Sequence, residues 1–507
     1  MPPPAPLLLK GFAAGEADGQ PLHRRLYFVL REAILESRLG PGARLPSSRA
    51  LAKDLGVSRN TALAAFEQLL AEGYIEGRVG AGSYVSQHLP EDALEARAAK
   101  VAGETGGTRP PPGPSRRGAT IAGLTTFQSL PRPFAPGQPE LAAFPFEDWA
   151  RRLAQVWRAP KTGLLVAGDP LGFPPLRQAL AAYLAAARAV RCEPEQVFVV
   201  SGAQQALDLA ARVLLDPGDR VWVEDPGYDG MIGALAAAGA DLVPLPVDGE
   251  GLVVAAGRAR APDARMACVS PSHHFPLGVT LSLARRLDLL EWARAADAFV
   301  LEDDYDSEYR YAGRPLAALQ GLDADGRVIY IGTMSKVMFP GLRLGYMVVP
   351  RHLVGAFKAA RRLADGFPST LAQPALAAFI ADGALGAHVR RMRALYAARQ
   401  RAFLVRAKAT LGDRLRLAPC EAGLHLVGYL RDGVDDVAVS RRARDLGVEA
   451  PPLSAFYRAH PPRSGLLLGY AGVPEPQVDA ALAKLGRAIE GVATTLAPKE
   501  RSIPCRA

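Results

Sequence analysis

The stretch GTMSKVMFPGLRLGY, residues 332–346, decides how the larger part of this chain is read. It continues an apolar run, VIYIG (328–332), with the length and composition of a buried strand. Lys336 stands directly after Thr333, Met334 and Ser335, and Arg343 follows beyond a Pro-Gly pair. In an open parallel sheet the C-terminal ends of the strands line the ligand crevice. A lysine there loses hydration, which lowers its pKa and makes its amine usable for Schiff-base formation. Thr333, Ser335 and Arg343 add two hydroxyls and a guanidinium fork. Together these groups suit a phosphate beside an aldehyde, which describes pyridoxal 5'-phosphate (PLP).

PLP makes further demands, and they can be sought outward from Lys336. Its pyridine nitrogen needs a facing carboxylate to stay protonated. The run LEDDYD (301–306) ends another apolar strand, and it offers Asp303 for that nitrogen and Tyr305 for the ring's phenolic oxygen. The phosphate needs N–H donors at a helix N-terminus. SGAQQALDLAARVL (201–214) opens a helix straight after VFVV, so Ala203 and Gln204 supply them. EDPGYDG (224–230) places Tyr228 where its ring can stack on the cofactor. Each signal alone recurs by chance. Four in this order form a specific constellation.

The chain has 507 residues, room for about three domains. Apolar residues make up 49%, enough for large cores. The formal net charge of +9 suits a polyanionic partner. Cys192, Cys268, Cys420 and Cys505 stand far apart with no metal-type spacing, which argues against zinc or a disulfide framework. The N-terminus lacks the basic region of a signal peptide, and no apolar run approaches the roughly 18 residues of a membrane span. A cytoplasmic protein is expected. Residues 88–125 are rich in Pro, Gly and charge and read as a flexible linker. They separate a small module, 20–87, from a large one, 126–495, in which short apolar strands alternate with helices.

The small module carries RLPSSRALAKDLGVSRNTALAAFEQLLAEGYIEGRVGAGSYV (44–85). Ser48 can cap a helix that buries Leu51, Ala52 and Leu55, and Gly56 supplies a tight turn. Ser58 can cap a second helix with Leu63, Phe66, Leu69 and Leu70 on its apolar face. Residues 74–85 read as two short strands around a Gly-rich turn, a wing. Polar residues opening the second helix are placed as in a DNA recognition helix. Periodicity alone also allows an ordinary three-helix packing unit.

The sequence from LPS through LGVSR to EGYI resembles the winged helix-turn-helix of the GntR family of bacterial regulators. The resemblance implies DNA contacts from Arg44, Ser47, Arg49, Ser58, Arg59, Asn60 and Thr61, with Arg78, Gly80 and Gly82 in the wing. The motifs SGAQQALDL, EDPGYDG, PSHHFPLG, LEDDYDSEYRY and SKVMFPGLRLGY resemble a fold-type I PLP enzyme of the aspartate aminotransferase superfamily. The whole chain thus resembles the MocR/GabR group of PLP-dependent transcriptional regulators. The implied fold is an N-terminal α+β winged helix-turn-helix and a C-terminal α/β PLP-dependent transferase fold with a smaller α/β subdomain. The implied partners are double-stranded operator DNA, an effector that is PLP or an amine or amino acid, and a second copy in a head-to-tail homodimer. Lys336 would carry PLP as the Schiff-base lysine.

Three departures bear on catalysis. Phe275 replaces the Asn of an Asn-Pro-x-Gly motif, and either His273 or His274 substitutes for it or both bond only to backbone. Ala167 stands where a tyrosine often reaches the partner's phosphate. Leu467 stands where an arginine binds the substrate's α-carboxylate, with Arg463 four residues earlier as the nearest alternative. These departures favour a regulator over an active aminotransferase with an accessory winged helix. A regulator without cofactor is the third reading.

Overall fold

In the computed structural model, the residues described are 21–78, 82–89, 112–123, 132–311 and 316–496. The chain divides into two compact units, 1–113 and 114–507.

The small unit holds α1 (Leu22–Leu35), α2 (Ser48–Asp54), α3 (Arg59–Ala71), β1 (Ile75–Arg78) and β2 (Gly82–Val85). Its core is built from Leu26, Leu30 and Ile34 of α1, Leu51 of α2, and Ala62, Ala65, Phe66 and Leu69 of α3. The sequence expectation needs correcting on α3. Leu63 and Leu70 are 41% and 51% exposed, while the small Ala62 and Ala65 are buried. Alanines there let the helices approach closely, so the buried stripe is set by size as well as hydrophobicity. The first cap also differs: Ser47, not Ser48, caps α2, its hydroxyl accepting the Ala50 N–H at 3.2 Å. Ser58 caps α3 as expected, and Gly56 turns the chain with φ +65°. β1 and β2 pair antiparallel, Ile75 opposite Val85.

The large unit contains α4 (Arg116–Gly123), α5 (Phe146–Arg158), α6 (Pro174–Arg188), β3 (Val197–Val200), α7 (Ala203–Leu214), β4 (Arg220–Asp225) and α8 (Asp229–Ala238). It continues with β5 (Asp241–Asp248), β6 (Gly251–Leu252), α9 (Val254–Arg260), β7 (Met266–Val269), α10 (Leu283–Ala295), β8 (Phe299–Asp304), β9 (Val328–Thr333) and β10 (Gly345–Val348). It ends with α11 (Val354–Ala364), α12 (Gln373–Ala381), α13 (Ala384–Leu411), β11 (Leu415–Leu417), β12 (His425–Leu430), α14 (Asp436–Asp445), β13 (Gly465–Gly469) and α15 (Glu475–Leu496). Most of the expected linker lies outside the described residues. Its last part forms α4, because Ser115 accepts the Gly118 N–H and so opens a helix, which rests against α8.

The large sheet has the order β3-β10-β9-β8-β7-β4-β5-β6. β9, β8, β7, β4 and β5 are mutually parallel, as the apolar runs predicted. Alternate residues feed opposite faces: Val221 and Val223 of β4 enter one core and Trp222 the other, where it stacks on Trp292 at 3.6 Å. Both faces are covered, so the runs show no polar alternation. A smaller antiparallel sheet, β11-β12-β13, forms the subdomain with α14 and α15.

One strand inside the opening stretch positions the site. β10 runs antiparallel between β3 and β9, with Gly345 opposite both Val200 and Thr333. Its first residue therefore lies at the edge where β3, β4, β7, β8 and β9 all end. Arg343, two residues ahead of it, is delivered to the start of α7.

Candidate cofactor site and nucleic-acid interface

In the acidic run at the end of β8 most carboxylate oxygens are engaged, while Asp303 Oδ1 and Asp304 Oδ1 have no hydrogen-bond partner. The Glu302 oxygens accept the N–H groups of Leu319 and Gln320 at 2.8 and 2.9 Å. Asp304 pairs with the buried Arg188 at 2.8 Å and accepts the Tyr330 hydroxyl at 2.6 Å. Asp306 takes His273 at 3.0 Å. Asp303 is 5% exposed, and its Oδ1 has no hydrogen-bond partner. Burial, with Asp304 and Asp306 nearby, pushes its carboxyl up to about 7, opposed by Lys336. A buried acceptor without a donor is costly, roughly 1–3 kcal/mol. A protonated pyridine nitrogen is a donor of the required kind.

Lys336 sits in the turn after β9. The Tyr309 hydroxyl donates to the Lys336 carbonyl at 3.2 Å and so pins the turn. Its Nζ donates to the Gly137 carbonyl at 2.9 Å. Burial lowers the amine's pKa below its ordinary value, against the pull of Asp306 and Asp303. Gly137 went unnoticed in the sequence. Its φ is +69°, which favours glycine, and a Cβ there would lie 2.6 Å from the Lys336 Nζ and displace the amine from its place. The only sequence signal was a Pro-Gly in a loop far from the lysine.

Arg343 adopts φ +52° and lies against Gly202, whose absent Cβ would be 3.3 Å from a guanidinium nitrogen. Gly202 precedes α7, whose first-turn N–H groups at Ala203 and Gln204 have no intrahelical acceptor. Guanidinium and free N–H groups thus meet at one point, as a phosphate requires. The Gln204 side chain turns away and donates to the Gly230 carbonyl at 2.8 Å. The Thr333 hydroxyl accepts the Ser335 N–H at 3.1 Å, which stiffens the turn. Tyr228 begins α8, 37% exposed, with its ring 5.8 Å from that of Phe275.

His273 does not stand alone in the place of the missing asparagine. Its Nδ1 lies 2.9 Å from the Tyr305 hydroxyl and 3.0 Å from Asp306, and its Nε2 lies 3.5 Å from the Cys420 thiol. Burial alone would lower its pKa, but Asp306 and Cys420 together outweigh that and push it up to about 10. His274 turns the other way: its Nδ1 accepts the Leu277 N–H at 3.3 Å, and burial lowers its pKa to about 3. Phe275 joins Tyr228, Tyr305, His425 and Phe456 in an aromatic cluster. Leu467 is fully buried beside Leu453 and Phe456. Arg463 is exposed, its guanidinium 4.0 Å above the Tyr429 ring. Neither residue forms a carboxylate clamp.

In the small unit, Arg59 and Asn60 are exposed at the start of α3. Ser58 and Thr61 are occupied locally, with Ser58 accepting the Thr61 N–H at 3.1 Å and the two hydroxyls 2.8 Å apart. Ser47 is likewise engaged as a cap, and Arg49 is exposed in α2. Arg44 is exposed and bridges to Tyr84 in the wing, close to Gly82, which has φ +107°. Arg78 lies 4.6 Å above the Tyr84 ring. Gly80 lies outside the described residues. Solvent-facing cations thus line both the wing and the helix start.

Comparison with known proteins agrees with both halves. Residues 22–85 match the bacterial regulatory proteins of the gntR family, and residues 134–485 match aminotransferase class I and II. The probable rhizopine catabolism regulatory protein MocR of Rhizobium meliloti is 44% identical over 89% of this chain and 90% of its own length. The pyridoxine biosynthesis transcriptional regulator PdxR of Corynebacterium glutamicum is 32% identical over 91% of this chain and 94% of its own. Among solved structures, Pyrococcus horikoshii kynurenine aminotransferase in complex with PMP superposes with TM-score 0.66 at 28% identity, covering 78% of this chain and 98% of that one. A GntR-type head, an aminotransferase-like body and near full-length similarity to regulators built the same way establish that this chain belongs to the MocR-type group of transcriptional regulators.

Proposed function

We propose that this protein is a PLP-dependent, DNA-binding transcriptional regulator that senses PLP or an amino compound through the Lys336 amine. The observation that carries the reading is the unpartnered Oδ1 of Asp303, buried in the same crevice as Lys336. The donor set fits the cofactor. Lys336 would hold its aldehyde end, Asp303 its ring nitrogen, Tyr305 its phenolic oxygen, and Arg343 with the start of α7 its phosphate. When bound, PLP supplies an electrophilic carbon at which amines exchange. The chain's own groups set the conditions for that exchange. Burial keeps Lys336 a usable nucleophile, and the Gly137 carbonyl orients it. His273 and Asp306 orient Tyr305.

The absence of an arginine at Leu467 and the outward position of Arg463 support sensing over transamination. The exposed Arg44, Arg49, Arg59, Asn60 and Arg78 would meet an operator, with two copies presenting two heads in a cytoplasmic homodimer. Effector binding would shift the population of arrangements that space those heads. By their names, the two regulators above serve rhizopine catabolism and pyridoxine biosynthesis.

The test compares wild-type protein and Lys336→Ala at the operator, with and without added PLP and amine. Loss of ligand dependence in the variant, with DNA binding retained, is expected. Full ligand-dependent control in the variant overturns the proposal. Sustained turnover of amino donors with oxo-acid acceptors would instead favour an aminotransferase.

A further inference from the structure

Three cysteines are described, and all are free. Burial raises the thiol pKa of two of them above the ordinary range: Cys268 is fully buried in β7, and Cys192 is pushed up to about 11. Cys420, in the loop between β11 and β12, is built differently. Its Sγ lies 3.5 Å from the His273 Nε2, whose other nitrogen lies 3.0 Å from Asp306. The order thiol, imidazole, carboxylate is the arrangement that activates a nucleophile. The thiol also borders a cavity of about 450 Å3, lined with Pro276, Leu277, Thr280, Pro419 and His425. Space is held open around the cluster by two glycines in left-handed conformation. A Cβ on Gly278 would lie 3.0 Å from the Cys420 Sγ, and one on Gly423 would overlap the His273 ring.

We infer that Cys420, activated by His273 and Asp306, is a covalent modification site for small electrophiles and hydroperoxides entering this cavity. The groups facing the pair are Tyr305 and Asp306 from beyond β8, His274 after β7, His425 from β12, Tyr470 after β13, and Lys336 farther off. With Asp306 accepting the Nδ1–H, Nε2 takes the thiol proton and leaves a thiolate beside an imidazolium. Burial would raise the thiol's pKa, but the His273 contact outweighs it and lowers it. With a hydroperoxide ROOH, the thiolate attacks the terminal oxygen, an S–O bond forms and the O–O bond breaks. His273 returns its proton to the departing alkoxide. The balance is Cys-SH + ROOH → Cys-SOH + ROH, in which sulfur loses two electrons and the peroxide gains them. A modified sulfur no longer accepts from Nε2, so His273 and the Tyr305 hydroxyl that it orients must shift. This regulatory consequence rests on the function proposed above; the reactivity itself does not.

The test uses the full-length, reduced protein with limiting iodoacetamide and peptide mapping by mass spectrometry. At neutral pH Cys420 is expected to react at least about tenfold faster than Cys192 or Cys268. Its rate should level off at a lower pH than that of Cys192, whereas an ordinary thiol gains roughly tenfold per unit below its pKa. His273→Gln and Asp306→Asn, checked for folding by thermal melts, should each slow it toward the Cys192 rate. Dimedone should trap a sulfenic acid on Cys420 after peroxide treatment, and not in Cys420→Ser. A Cys420 rate no faster than that of Cys192, or an ordinary pH profile in the wild type, overturns the inference. A shift of PLP absorbance on labelling, absent in Cys420→Ser, is the expected readout of the coupling. Fast labelling without that shift would leave the reactivity standing and refute the coupling alone.

Discussion

The Nζ of Lys336 donates to the carbonyl oxygen of Gly137, a residue 199 positions earlier in the chain, at 2.9 Å. This bond closes the crevice over the lysine with a segment that shares no strand with it. It also makes Gly137 a sensitive position. Gly137→Ala would place a methyl 2.6 Å from Nζ at a backbone φ of +69°. PLP binding should weaken by at least about tenfold, or ~1.4 kcal/mol. Absorbance titration of PLP checks this, and operator binding by the cofactor-free variant should be unchanged.

The buried acids set a pH dependence. Glu224 and Asp303 are both fully enclosed, and burial raises their pKa values to about 8 and about 7. A raised carboxyl holds its proton in the folded state after the unfolded chain has released it. Its stability contribution is therefore full below the unfolded pKa and lost as pH rises through the folded one. His273, pushed up to about 10, has the same sign above about pH 6.5. His274, at about 3, and His425, at about 4, act only as pH falls below that point. The cofactor-free protein should thus lose stability between pH 6.5 and 8, by about 1.4 kcal/mol per pH unit for each proton retained. Denaturant melts across this window check it, and Glu224→Gln should flatten the slope by one proton's worth.

By resemblance Leu467 stands where aminotransferases carry a carboxylate-binding arginine, so placing an arginine there is an informative failure. Leu467→Arg would bury a guanidinium in the apolar cluster of Leu453, Phe456 and Phe275. A loss of about 3 kcal/mol or more is expected, and no gain in transamination. Thermal melts and a turnover assay read the two outcomes separately.

The small unit offers a clean separation of folding from recognition. Ser58→Ala removes the cap of α3, which should cost about 1 kcal/mol of stability in that unit. Arg59→Ala removes an exposed side chain and should leave stability unchanged. It should weaken operator binding by about 1–3 kcal/mol if Arg59 reads a base. Arg78→Ala should weaken binding to all sequences alike and lower the salt dependence, the signature of a phosphate contact.

Much of this was legible in the chain. The strands VFVV, RVWVED, MACV, FVLEDD and VIYIGT were recognisable as apolar runs, and the residues at their ends converge because parallel strands end at one edge. The cap at Ser58 and the wing followed from local rules. The buried stripe of α3 was misjudged because hydrophobicity alone cannot tell that Ala62 and Ala65 make the close contact while Leu63 and Leu70 face out. The cap of α2 was misplaced by one residue because adjacent serines give the same local signal.

Local pattern by itself determined the two-module organisation, the strand ends and the Lys336–Arg343 spacing, since periodicity and turn chemistry act over a few residues. Long-range pairing decided the rest. β10 had to insert antiparallel between β3 and β9 before Arg343 could meet Gly202. Arg188, His273 and the Leu319–Gln320 N–H groups had to arrive from three separate segments before Asp304, Asp306 and Glu302 found their partners. Only then does Asp303 stand apart: Asp304 keeps a partnered Oδ2 beside its unpartnered Oδ1, whereas the unpartnered Oδ1 of Asp303 belongs to the acid that feels Lys336. That selection depends on which donors the fold brings near each carboxylate, and no spacing along the chain encodes it.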